Sequence, residues 1–433
     1  MSITPVIRLL SAFLLAILVA AGGGGAVGGR AWAAGEAKSN EARNSEARNS
    51  EARGAAVIAA AVAVEVEGGK TRFRVNLSGP VAAQAYLMEN PDRVIVDLPE
   101  VSFHLPDDTG RRKEGLLASY RYGLFAPGRS RVVMELAHPA VVSAIHVETN
   151  LPGGAALLTV ELSRTDRDGF RRAAAASAAL ASRGEAGPAV PGENKDARPV
   201  IMIDPGHGGI DPGAAASASV VEKDLVLSFA HLLRKKLEAE GRYRVLMTRE
   251  RDVFVSLGDR VRAARAAKAD LFISIHADSI SGGQDVRGLT VYTGSERASD
   301  ADSARLADRE NKADAAAGVE AADGADQVLD ILQELTLRET RTFSHNFALR
   351  LVGELDPVAR LNKNPRREAG FKVLRAHDVP SVLLELGYLS SRQDLDLLMS
   401  DQWRGKMVSA MAVAVHRFFA TRLARGGAAA VLP

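Results

Sequence analysis

Two histidines and two glutamates stand out because each lies at the edge of an apolar run. Val200-Ile201-Met202-Ile203-Asp204 runs into Pro205-Gly206-His207-Gly208-Gly209. Ala269-Asp270-Leu271-Phe272-Ile273-Ser274-Ile275-His276-Ala277-Asp278 also ends in a histidine. Glu222 opens a helical pattern just beyond the glycine loop, and Glu385 closes the run that starts at Val379-Pro380-Ser381. A lone histidine in such a place is usually a satisfied core residue, and a lone glutamate in a first helical turn is usually a response to the helix dipole. Two histidines at two strand ends with a carboxylate nearby are a rarer combination. His207, Glu222 and His276 make three protein ligands with a fourth position open, the pattern of a catalytic zinc site. Glu385 would be a carboxylate on an otherwise apolar strand. Burying it is costly unless it pairs with a cation, for which Arg375 and His377 are at hand, or works as an acid/base.

Those residues need strands and helices to converge. The runs at 200–204, 269–278 and 379–385 are short, apolar and bounded by turn residues, as buried strands of an α/β sheet are. Ligands of such sheets gather at the carboxyl ends of the strands, where His207 and His276 fall. Leu225, Val226, Phe229, Leu232, Leu233 and Leu237 recur by threes and fours, the stripe of a helix packed on that sheet. The glycine loop does not cradle phosphate: its spacing fits neither nucleotide fingerprint, and no Lys-Ser/Thr follows. The block from 199 to 423 therefore reads as an α/β catalytic domain, a mixed open sheet flanked by helices.

Upstream the period changes to two. Phe73, Val75 and Leu77, then Val94, Val96 and Leu98, then Leu158, Val160 and Leu162 alternate with other residues, and turn signals such as Gly68-Gly69 and Pro127-Gly128 separate the runs. Residues 57–163 are expected to form a small all-β sandwich, a binding or targeting module with no catalytic cluster. Residues 164–198 read as a linker, with an Ala run followed by Gly187, Pro188, Pro191 and Gly192, and residues 424–433 as a Gly/Ala-rich flexible tail.

At the N-terminus Arg8 precedes an apolar run from Leu9 to Ala21, too short for the roughly 20 residues of a bilayer span. Ala31-Trp32-Ala33 supplies a small-x-small cleavage site, so residues 1–33 read as a signal peptide, with an uncleaved anchor as the alternative. No Arg pair precedes the run, which favours the general secretory route and export to the periplasm, with no stable membrane span after cleavage. Residues 34–56 form a low-complexity spacer with a repeated Asn-Ser-Glu-Ala-Arg unit.

Composition narrows the function further. The 433 residues contain no cysteine, which rules out disulfides, a thiol nucleophile and thiolate metal ligation. Lys+Arg total 55 against 53 Asp+Glu, and aromatics are 5%, so neither a basic surplus nor stacking platforms point to nucleic acid.

Two family resemblances follow. Arg93-Val94-Ile95-Val96-Asp97-Leu98, Arg121-Tyr122-Gly123 and Arg131-Val132-Val133-Met134-Glu135-Leu136 resemble the AMIN domain of exported cell-wall enzymes, which implies peptidoglycan binding and placement in the envelope. Asp204-Pro205-Gly206-His207-Gly208-Gly209, Glu222-Lys223-Asp224, Ser274-Ile275-His276-Ala277-Asp278 and Leu384-Glu385-Leu386-Gly387-Tyr388 resemble the zinc-dependent N-acetylmuramoyl-L-alanine amidases of the Amidase_3 family. Thr248-Arg249, Asp252, Leu257 and Arg260 fall where that family has its Thr-Arg-x-x-Asp element, and Leu384 is a conservative departure where Val is commoner. The resemblance implies a Zn²⁺ held by His207, Glu222 and His276, with Glu385 as the catalytic acid/base. It also implies cleavage of the bond between the lactyl group of N-acetylmuramic acid and L-alanine in peptidoglycan, in wall remodelling and daughter-cell separation. A zinc peptidase acting within the stem peptide and a non-catalytic peptidoglycan-binding protein are the competing classes.

Between His276 and Glu385 lies Arg309-Glu310-Asn311-Lys312-Ala313-Asp314, followed by a helical pattern with Val328, Leu329, Ile331, Leu332, Leu335, Phe343, Phe347, Leu351 and Leu355. The later half reads as a scaffold helix on the sheet. Division-type amidases carry an inserted segment here that occludes the zinc, and LytM-domain activator proteins are thought to displace it. By that resemblance Glu310 is a candidate inhibitory metal ligand, because a fourth protein ligand closes a catalytic site.

Overall fold

The computed structural model describes residues 57–106, 109–149, 151–181, 196, 198–217, 219–279, 287–319 and 331–429. The signal peptide, the first spacer, most of the linker after 181, and Val328 and Leu329 lie outside the described residues.

Alternation in the first block produces two facing sheets. Strands β1 (Val57–Glu67), β2 (Lys70–Leu77), β3 (Gln84–Met88), β4 (Arg93–Pro99), β5 (Val101–Phe103), β6 (Leu117–Ala126), β7 (Arg129–Leu136), β8 (Ala140–Glu148) and β9 (Ala156–Arg164) follow in order. One sheet runs β5-β1-β2-β9-β8 and the other β3-β4-β7-β6. Phe73, Val75, Leu158 and Val160 from the first meet Val94, Val96, Val132 and Met134 from the second in one buried core. This is the expected sandwich.

The segment read as a linker departs from expectation in its first half. Helix α1 (Arg167–Ala181) follows β9 directly. Phe170 and Ala174 bury in the sandwich core, and the Ser177 hydroxyl accepts the Leu87 N–H at 3.0 Å. Alanine is the best helix former, so a run of it becomes a helix once one large residue per turn or two finds a core.

The second block adds β10 (Val200–Pro205), β11 (Ala215–Ser217), β12 (Val220–Val221), α2 (Glu222–Glu238), β13 (Arg244–Met247), α3 (Leu257–Ala266), β14 (Leu271–His276) and β15 (Leu289–Gly294). It continues with α4 (Ala301–Glu310), α5 (Ala313–Ala316), α6 (Ile331–Leu355), β16 (Leu361–Ala369), β17 (Ser381–Glu385), α7 (Arg392–Leu398) and α8 (Asp401–Ala429), the last running past the 423 boundary drawn from sequence. β11 and β12 pair as a small ribbon, and the main sheet runs β13-β10-β14-β17-β15-β16. The first four of these are parallel, and β15 runs antiparallel to β17. The sheet is mixed, as expected.

Both faces of this sheet are covered, which explains runs that are apolar throughout. Ile201, Ile203, Ile273, Ile275, Val382 and Leu384 face Val226, Phe229 and Leu233 of α2, Phe347 and Leu351 of α6, and Met407, Met411 and Val415 of α8. Val200, Met202, Phe272, Tyr292 and Leu383 face the other way, against Ala264 of α3 and Leu306 and Ala307 of α4. Because side chains alternate along a strand, Asp204, Ser274, His276 and Glu385 share this second face.

Candidate active site

β10 ends in a turn that leaves His207 in the left-handed region, at φ 57°. The residue before it has to be glycine, since a Cβ on Gly206 would sit 2.4 Å from the His276 ring. The two imidazoles can then approach edge to face, with ring centroids 4.9 Å apart. Glu222, at the first position of α2, is fully buried. Its Oε2 lies 3.2 Å from His207 Nε2 and its Oε1 lies 3.1 Å from His276 Nδ1. The same two oxygens accept the Ala214 and Ala277 N–H groups, each at 2.9 Å.

Glu310 comes in from the end of α4. Its Oε2 lies 3.4 Å from His207 Nε2 and 3.4 Å from His276 Nδ1. His207, His276 and Glu310 each offer one ligand atom, all within 4.8 Å of one another. His207 Nε2 is buried without a hydrogen-bond partner. An orphaned buried nitrogen facing a second imidazole and two carboxylates fits a divalent cation.

Glu385 is brought to the same place by register. His276 and Glu385 are paired residues of neighbouring parallel strands. Glu385 Oε2 accepts the Asp278 N–H at 3.2 Å, and Oε1 is buried with no hydrogen-bond partner. Among the described residues no cation pairs with Glu385, and His377 faces Arg265 instead, at 3.3 Å. Burial, together with the charges of Glu222 and Glu310, pushes the Glu385 carboxyl well above the usual carboxylate range. For Glu222 burial acts in the same direction, but His207 and His276 outweigh it and hold the carboxyl well below that range. The two carboxyls are thus shifted in opposite senses.

Over residues 201–417 the sequence matches the Amidase_3 family, N-acetylmuramoyl-L-alanine amidase, and over 61–154 it matches the AMIN domain. N-acetylmuramoyl-L-alanine amidase AmiC of Neisseria meningitidis serogroup B is 33% identical over 384 residues, covering 82% of this chain and 89% of that protein. AmiC of Escherichia coli O6:H1 is 30% identical over 386 residues, covering 85% and 91%. Among solved structures, amidase AmiC2 of Nostoc punctiforme is 27% identical, with a TM-score of 0.37, over 51% of this chain and 97% of its own. The chain belongs to the Amidase_3 family of N-acetylmuramoyl-L-alanine amidases.

In this amidase the Thr-Arg-x-x-Asp element and Arg260 brace the end of β10, with Arg249, Arg260 and Asp204 buried and Asp252 exposed. Asp204 Oδ1 accepts from Arg260 at 2.7 Å and from the Thr248 hydroxyl at 2.6 Å, and Oδ2 accepts from the Ser274 hydroxyl at 2.7 Å. Arg260 also donates to the His207 carbonyl at 2.7 Å, and Arg249 donates to the Gly206 carbonyl at 2.8 Å. Asp252 receives the Gly209 N–H at 2.6 Å. Burial would raise the Asp204 pKa, but Arg260 and the two hydroxyls prevail and hold it below the usual value. Burial, helped by Arg260, lowers the Arg249 guanidinium to about 10.

Sequence reasoning missed Asp211, whose Oδ2 lies 2.8 Å from His207 Nδ1. The signal was available: a carboxylate four residues after a metal-type histidine can fix its tautomer and orientation. It also missed the anchors of the Glu310 segment. Arg309 pairs with Asp278, Asn311 Nδ2 donates to the Gly370 carbonyl at 2.9 Å and its Oδ1 accepts the Lys372 N–H at 2.7 Å, and Asp314 accepts the Leu257 N–H at 2.8 Å. With Glu310 seated, the cavity lined by His207, His276, Glu310 and Phe371 measures about 10 Å³. That is roughly one water, not a substrate amide.

Proposed function

We propose that this amidase works as a zinc hydrolase in the periplasm, with its site held shut by its own Glu310. The carrying observation is the meeting of His207 Nε2 and His276 Nδ1 with Glu222 and Glu310 oxygens at 3.1–3.4 Å, beside the buried Glu385. Two nitrogens and carboxylate oxygens without sulfur suit zinc. His207, Glu222 and His276 would hold it, and Asp211 keeps His207 in the tautomer that presents Nε2. Zinc when bound supplies Lewis acidity, polarising the amide carbonyl and acidifying water toward a pKa of about 7.

Glu385 does the proton work. Its apolar burial gives it the raised affinity for a proton that a base near neutrality needs. It takes the proton from the attacking water and passes it to the amine nitrogen of L-alanine as the bond to the lactyl carbonyl breaks. The products are the lactyl acid on the glycan and an intact stem peptide with a free amine.

Residues 1–33 act as the export signal, and the β-sandwich with α1 places the enzyme on peptidoglycan. No helix among the described residues is long and apolar enough to cross a membrane. Glu310 as a fourth ligand makes the resting enzyme inactive, and a LytM-domain activator would lift the α4–α5 segment during daughter-cell separation. Metal analysis of purified wild type and Glu310→Ala tests this reading. One zinc per chain is expected in both, with wall hydrolysis without a partner at least ten-fold higher in the variant. Absence of zinc from both proteins would refute the reading.

A further inference from the structure

The outer face of the β3-β4-β7-β6 sheet has an unusual composition. One face of an antiparallel sheet is commonly solvated and polar. Here Val94, Val96, Val132 and Met134 fill the sandwich core, so the intervening residues point outward, and two of them are Ile95 and Val133. Both are fully buried. They belong to a second apolar cluster with Tyr86, Met88 and Phe125 of the same sheet, which meet Ile210, Phe254, Ala317 and Val319 of the catalytic block. Ala317 and Val319 lie directly after α5, on the segment that carries Glu310.

The contact is built as well as apolar. Arg131 is held by a bidentate pair with Asp97, at 2.6 and 2.9 Å, and its guanidinium lies 3.5 Å from the centre of the Phe125 ring. From there it donates to the Gly318 carbonyl at 3.0 Å and the Ala317 carbonyl at 3.3 Å. Gly318 sits at φ +69°, and a Cβ there would lie 2.4 Å from Ile95 Cδ1. The same sheet grips the loops of the metal site: Phe125 stacks on Phe254 at 5.8 Å, and the Phe254 N–H donates to the Leu124 carbonyl at 3.1 Å.

We propose that this sheet face is the seat of the inhibitory segment, so that the AMIN-type sandwich clamps residues 317–319 and thereby keeps Glu310 on the metal ligands. The inference rests on the reading of Glu310 as an inhibitory ligand and assigns its restraint to a second domain. From Glu310 to Ala317 the chain is a turn and the short helix α5, whose backbone hydrogen bonds continue through Ala317 N–H to the Ala313 carbonyl at 3.0 Å. Little slack separates clamp from ligand. A sheet that lets go of Gly318 frees one end of the plug, leaving Arg309, Asn311 and Asp314 to hold it.

Full-length Gly318→Leu and Arg131→Lys test this. The first drives a side chain into Ile95. The second keeps a cation for Asp97 but loses the guanidinium fork that reaches two carbonyls. Gly153→Leu is the control, since Gly153 has a similar φ of +76° and open space around it. Hydrogen exchange of the amides of 301–317 is measured together with wall hydrolysis without an activator. Both test variants should exchange at least ten-fold faster there, with protection in β4 and β7 retained, and hydrolyse wall several-fold faster than wild type, while Gly153→Leu matches wild type. Unchanged exchange across 301–317 in both variants would overturn the clamp. Glu310→Gln separates the two ideas: if it activates while the clamp variants change nothing, the clamp alone is wrong. If the clamp variants loosen the segment and Glu310→Gln leaves hydrolysis at the resting level, the inhibitory reading is wrong and with it the clamp's role in activity.

Discussion

His276 and Glu385 are register partners on adjacent parallel strands, so the sheet itself sets the distance between a metal-type imidazole and the buried carboxylate beside it. Neither side chain depends on a loop for its position. Tyr388 and Leu386, which follow Glu385, are buried as well, so the carboxylate has little freedom to move away.

Replacing Glu385 with Gln keeps shape and removes the proposed base. Wall hydrolysis by an otherwise open enzyme should fall by roughly 10²–10⁴-fold, with zinc content unchanged by metal analysis. A rate equal to the parent's would reassign the base.

Asp211 orients His207 from the far side of the ring. In Asp211→Asn zinc affinity should fall by roughly 10–100-fold, measured by competition with a chromophoric chelator, with hydrolysis recovering as zinc is raised. His207→Ala should lose the metal altogether. Equal affinity in wild type and Asp211→Asn would remove the orienting role.

Asp204 tests the scaffold rather than the chemistry. Asp204→Ala strands the buried Arg260 guanidinium, and loss of one partner of such a pair costs about 3–5 kcal/mol, readable by urea denaturation. The pH dependence has a definite sign. The folded carboxyl has a depressed pKa, so its contribution is complete above the unfolded value of about 3.9 and is lost as pH falls through the folded one. Wild type should therefore shed stability more steeply below about pH 4 than the variant does.

Much of this site was readable from residue order because its parts are local. Each key side chain terminates a strand or opens a helix, and strand ends and helix starts have sequence signatures. The convergence of His207, Glu222 and His276 followed from that placement. Other features depend on distant partners. The Ala-rich stretch after Arg164 carries few apolar residues, and only the core around Phe170 shows that it is a helix. The apolar Ile95 and Val133 look like ordinary strand residues until Gly318, far along the chain, is found against them. Asp278 as the partner of Arg309 had no local signal at all.

Opening the site by charge removal is the expected effect of Glu310→Ala. With no activator present, hydrolysis of purified wall should rise at least ten-fold over wild type, followed by dye release from labelled sacculi. Activity at the wild-type level, in a protein with the wild-type thermal midpoint, would show that Glu310 does not restrain the enzyme.

The most direct measurement is mass spectrometry of sacculi digested with the Glu310→Ala protein, with and without chelator. The account predicts intact stem peptides bearing a free L-alanine amine, peptide-free glycan, complete loss of both in chelator, and recovery with added zinc. Shortened stem peptides, or release that persists in chelator, would contradict it.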